Sequence, residues 1–89
     1  SLETHIAGAE DKLLDSLHFA GKTSASYVLS AAVYRLLLKR LEFHTKWSET
    51  PSLQHRQTGV SNTARRVYPP NSLADQTGWL EGNTLRLVM

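Results

Sequence analysis

The chain has 89 residues, 40% hydrophobic and 20% charged, ordinary usage that points to one small globular domain and excludes a fully disordered or membrane-embedded chain. Ten Lys+Arg against eight Asp+Glu leave a net charge of +2, a mild excess of base. There is no cysteine, which removes disulfide frameworks, thiol nucleophiles, zinc ribbons and iron–sulfur ligation.

At the N-terminus, Ser1 to His5 supplies neither a basic region nor an apolar run, so no signal peptide is expected. The longest apolar stretch, Tyr27 to Leu38, is interrupted by Arg35 and falls short of the ~20 residues a spanning helix needs. A soluble chain, without membrane insertion, is expected. From Glu3 to Phe19 the periodicity is helical. Ile6, Leu13 and Leu17 form a stripe flanked by Ala9 and Leu14, while Asp11 and Asp15 face away. Thr4 suits the N-cap, Gly21 suits the C′ position, and Lys22 adds charge near the helix's negative end.

Thr23 to Trp47 contains no Gly or Pro and reads as a single long helix, capped by Thr23, Ser24 or Ser26. At 1.5 Å per residue it would run roughly 35 Å. A 100° step places Leu29, Val33, Leu36, Phe43 and Trp47 on one face and Arg35, Lys39, Glu42 and Lys46 on another. Tyr27, Ala31, Tyr34, Leu38 and Leu41 make a second apolar side. The shared seam of the two helices is therefore expected to hold Leu13, Leu17, Leu29, Val33 and Leu36. The second side is expected to meet either a partner chain or the C-terminal residues Trp79, Leu85 and Leu87.

Beyond Ser48 the character changes. Ser48 to Asn62 has two strong hydrophobes, Leu53 and Val60, and Pro51, Pro69 and Pro70 punctuate the segment. Tyr68, preceding Pro69, is biased to an extended backbone. Asn71 could cap a short turn over Ser72 to Asp75. Thr77 to Val88 reads as two short strands around Glu81-Gly82-Asn83, with Leu85 and Leu87 alternating against Arg86. The fold expected is mainly α within a single domain, 1–89. An antiparallel helical hairpin (1–47) is followed by an extended, irregular polar arm (48–72) and a short β-like tail (73–89).

Few residues point to catalysis. Gly21-Lys22-Thr23 resembles the end of a phosphate-binding loop, but Ser16 stands where the first glycine belongs and helical periodicity precedes it. It reads as one helix's stop and the next one's start. His5, His18, His44 and His55 lack the i,i+3 or i,i+4 spacing of helical metal ligands. No GxSxG elbow is present, and nothing singles out Glu49 with Asp75 or Glu81 as an acid–base pair. No enzyme activity, metal, cofactor or small-molecule substrate is expected. The window His55 to Tyr68 holds Arg56, Arg65 and Arg66 and no acid, with Tyr68 at its end. Those residues suit either phosphates and a stacked base or an acidic protein surface. Three arginines neutralise few phosphates, so a protein partner is favoured. The function expected is a small, non-enzymatic structural or interaction subunit. It would dock into a larger assembly, of its own or other chains, through the long helix (Tyr27, Tyr34, Leu38, Leu41) and the arm. The alternative is a nucleic-acid-binding module using Arg56, Arg65, Arg66 and Tyr68.

Overall fold

The computed structural model describes residues 2–17, 24–49 and 63–89, with side chains from residue 8 onward. Its elements are α1 (Leu2–Ser16), β1 (Ala25–Val28), α2 (Ala31–Phe43), β2 (Ser48–Glu49), β3 (Arg65–Tyr68), β4 (Thr77–Glu81) and β5 (Thr84–Val88). The strands form one five-stranded sheet in the order β1-β5-β4-β3-β2, every neighbouring pair antiparallel. The fold is α+β, and the mainly-α helical hairpin is not what the chain forms. The helices do pack against each other, but the chain between them contributes an edge strand. The expected stop at Gly21 and cap at Thr23 lie outside the described residues, as does 50–62, the middle of the expected arm. The arm's two ends, 48–49 and 65–68, are strands of the sheet.

The long helix is shorter than its periodicity suggests because Ser30, and not Thr23, caps it. The Ser30 backbone is extended, and Val33 N–H donates to its Oγ at 3.2 Å. At the other end His44 takes a left-handed conformation, φ 54°, and Thr45 N–H donates to Arg40 O at 3.1 Å. A non-glycine residue does here what Gly commonly does. Thirteen residues make a helix of about 20 Å. The N-terminal remainder, Ala-Ser-Tyr-Val, pairs with β5 instead, in the register Ala25–Leu87 through Val28–Thr84.

Moving the helix start also moves its buried face. Val33, Leu37 and Leu41, four residues apart, enter the core with Leu14, Leu17, Leu29, Trp47, Val67, Leu80, Leu85 and Leu87. Leu13, expected in the seam, is 52% exposed, and Leu14 takes its place at 0%. Leu36 is only partly buried against this cluster. Phe43, on the helix's last turn, is exposed. Asp11 and Asp15 do not face solvent alone: Arg40 of α2 pairs with both, and Lys46 reaches Asp15 at 3.0 Å. Partial burial lowers the Arg40 pKa from its ordinary value.

In the sheet, strand alternation puts Val67, Gly78, Leu80, Leu85 and Leu87 on the helix-facing side. Arg66, Trp79 and Arg86 face the other way. β4 and β5 form the hairpin expected from Gly82-Asn83, and Gly82 has the positive φ, 56°, that such a turn demands. Gly78 matters for space. A Cβ there would lie 2.9 Å from Val67 Cγ2 and 3.2 Å from Leu87 Cδ2, so larger side chains overpack the core. Gly78→Ala is therefore expected to cost about 1–3 kcal/mol, read as a lower denaturation midpoint at unchanged m-value.

Candidate functional site

β1 lies at one end of the strand order, so β5 is its neighbour on one side only. The hydrogen bond from Leu29 N–H to Asn83 O, 2.8 Å, fixes which backbone groups point inward. Antiparallel pairing alternates, so Ala25 and Tyr27, like Leu29, bond toward β5, while Ser26 and Val28 turn their N–H and C=O outward. No described strand receives them. The Asn83 side chain also donates to Leu29 O at 3.2 Å, and Met89 N–H donates to Ser24 Oγ at 3.4 Å. Both contacts hold β1 to the sheet from its inner side, at its two ends.

The chemistry of this edge is uniform. Ser24 to Ser30 contains no charge, no Pro and no Gly. Val28 is 78% exposed and Tyr27 is 37% exposed. Proteins ordinarily protect such edges with lysine, proline, a bulge or a covering element. Within the strand none of those residue types is present. Arg86 is the cross-strand neighbour of Ser26, and it sits 3.8 Å from Glu81, so its charge has a local counterpart.

The residues expected to carry function are not brought together. Tyr27 is on β1. Tyr34 and Leu38 are partly buried on α2, packed on the core, and Leu41 is 2% exposed within it. Leu85 and Leu87 cover the helix from the sheet, whereas Trp79 lies on the opposite face. That apolar side of the helix is thus largely closed by the chain itself, and Leu41 is not surface. Arg56 lies outside the described residues. Arg65 donates Nη2 to Glu49 Oε1 at 2.8 Å and Nε to Oε2, and this pairing raises its pKa above the ordinary value. Arg66 sits 5.5 Å from the Tyr68 ring and 5.8 Å from that of Trp79, and donates Nε to Thr77 Oγ1 at 3.3 Å. The arm's described arginines therefore have partners of their own.

One cleft, about 440 Å³, is lined by Asp15, Lys46, Pro70 and Asn71. Lys46 and Asn71 both hold positive φ, 66° and 63°. Asp15 there is neutralised by Arg40 and Lys46. Among the described residues no group of three His, Cys, Asp or Glu could hold a metal ion, and no helix is long and apolar enough to cross a membrane. The chain matches no family model, no curated protein and no solved structure.

Sequence reasoning missed β1 because its four residues lie inside an uninterrupted helix-like period. The signal was there in composition. Three serines, Ser24, Ser26 and Ser30, compete with helix by bonding to nearby backbone, and Tyr27-Val28 favours a strand.

Proposed function

We propose that the chain is a small, non-enzymatic interaction module that binds protein by strand addition at β1. The observation that carries this reading is the outward-turned backbone of Ser26 and Val28 on an uncharged, exposed edge. In such docking the main chain supplies affinity and alternate side chains supply selectivity. Tyr27 on the helix side and Val28 on the other give the edge one contact on each face. The nucleic-acid reading ranks second, because Arg65 is paired with Glu49 and the rings near Arg66 already take its guanidinium. Docking by the long helix ranks below both, since Leu41 is core and Tyr34 and Leu38 are partly covered.

The test is a titration of the full chain with a strand-forming peptide unrelated to β1, seven residues of alternating threonine and valine carrying added lysines at both ends for solubility. Strand addition predicts amide shift changes centred on Ser26 and Val28, and slowed exchange of those two amides. Changes centred on Arg66 or on the Asp15 cleft, or none at millimolar peptide, would reject the reading.

A further inference from the structure

We infer that the partner strand is β1 of a second copy, paired antiparallel about a two-fold axis that joins two five-stranded sheets into one. The inference rests on the strand-addition reading and names its occupant. The charge pattern favours self-pairing. A strand free of charge from Ser24 to Ser30 sets no like charges opposite each other when it meets itself, and offers a charged foreign strand no counter-ion.

The register follows from which groups point outward. Among the described residues no strand receives the outward N–H and C=O pairs of Ser26 and Val28, so a hydrogen-bonded site must unite Ser26 with Val28 of the second copy, and the converse. A two-fold relation satisfies both at once and leaves no outward group of the pair unused. Tyr27 then faces Tyr27 of the second copy in the intervening non-hydrogen-bonded site, where Cα atoms approach to about 4.5 Å. Both rings lie on the helix side of the joined sheet, since Tyr27 shares its face with Leu85. Aromatic pairs at such sites are among the favourable cross-strand contacts. On the other face Val28 packs beside Ser26 of the second copy. Other registers either place the outward groups out of bonding position or leave part of the short strand unpaired. The symmetry is closed, which gives a dimer and not a fibre.

The contact is small. Two four-residue edges bury well under the ~1,000 Å² of a stable interface, so dissociation on the order of 10⁻⁴ M is expected. Sedimentation velocity of the full chain between about 10 μM and 1 mM should move from monomer to mostly dimer across that constant. Val28→Lys changes a side chain that is 78% exposed, so folding is preserved, and dimerisation should weaken at least about tenfold. Tyr27→Lys and Tyr27→Glu test the register itself. Each alone should be monomeric at 1 mM, while an equal mixture should dimerise, because opposite charges then meet at the two-fold site. Circular dichroism of each variant checks that it folds. If the Tyr27 variants unfold, Val28→Lys carries the test alone.

A wild-type chain still monomeric at 1 mM would overturn self-pairing, as would a Val28→Lys variant that dimerises like the wild type or folded Tyr27 variants whose mixture stays monomeric. The peptide titration separates the two levels of the proposal. A monomeric chain that binds the peptide at Ser26 and Val28 loses the second copy and keeps strand addition. A monomeric chain that binds no peptide loses both.

Discussion

Leu37→Ala should lower stability by about 2–5 kcal/mol, the range for truncating a fully buried leucine. Leu37 is 0% exposed at the centre of α2's buried face, between Val33 and Leu41, with the sheet's Leu80, Leu85 and Leu87 in the same cluster. The surrounding side chains come from both helices and three strands, so collapse into the void requires several elements to shift together. For a domain of this size, each 1 kcal/mol moves the melting temperature by about 4–8 °C, so a drop of about 8 °C or more is expected. Total stability of small domains is about 5–15 kcal/mol, and the variant therefore loses a large part of it. Leu13→Ala is the matched control. At 52% exposure it should change stability by no more than about 0.5 kcal/mol. Thermal denaturation of both variants separates the α+β core from a helical-hairpin seam. A larger drop for Leu13→Ala than for Leu37→Ala would favour the seam.

Trp47→Ala should cost about 3–5 kcal/mol, because a fully buried indole would be replaced by a methyl group. Trp47 is 0% exposed and joins the end of α2 to β2, following a backbone that holds positive φ at His44 and Lys46. Its indole Nε1 is buried and has no hydrogen-bond partner among the described residues. An unpaired buried donor costs about 1–3 kcal/mol. Trp47→Phe removes that donor and leaves a modest cavity, and at about 24 cal/mol per Å³ the void costs roughly 1 kcal/mol. The two effects oppose each other, so Trp47→Phe should lie within about 1 kcal/mol of the wild type. Equilibrium unfolding in urea measures both variants. A Trp47→Phe cost near that of Trp47→Ala would show that the indole N–H contributes favourably.

Legibility of the fold followed the range of the interactions that set it. The β4–β5 hairpin is readable because its cause is local: Leu85 and Leu87 alternate around Arg86, and Gly82-Asn83 supplies the turn. The α2 period is also readable, but its phase is not. Phase depends on where the helix starts, and Thr23 and Ser30 are both of a residue type that caps helices. Choosing the earlier cap merges β1 into the helix, carries Leu29 onto its face and puts Leu36 where Leu37 belongs. The ends of α2 are equally obscure, because His44 and Lys46 adopt left-handed conformations without being glycine.

The candidate site was the least legible part, for a different reason. Edge status is a property of strand order, and strand order is decided by pairings as distant in sequence as Ala25 with Leu87. Arg65 and Arg66 stood out as charges, yet their partners Glu49 and Trp79 come from other strands. Helical periodicity alone marks Tyr27 as an interface residue. It belongs to the exposed edge through its place on β1.

Amide hydrogen exchange across Ala25 to Leu29, measured in dilute solution where the chain is monomeric, tests the sheet edge most directly. With β1 paired to β5 on one side only, Tyr27 and Leu29 amides should be protected, while those of Ser26 and Val28 exchange near the rate of an unstructured chain. Continuous protection from Tyr27 through Leu29 would contradict it, because consecutive protected amides belong to a helix or to a strand paired on both sides.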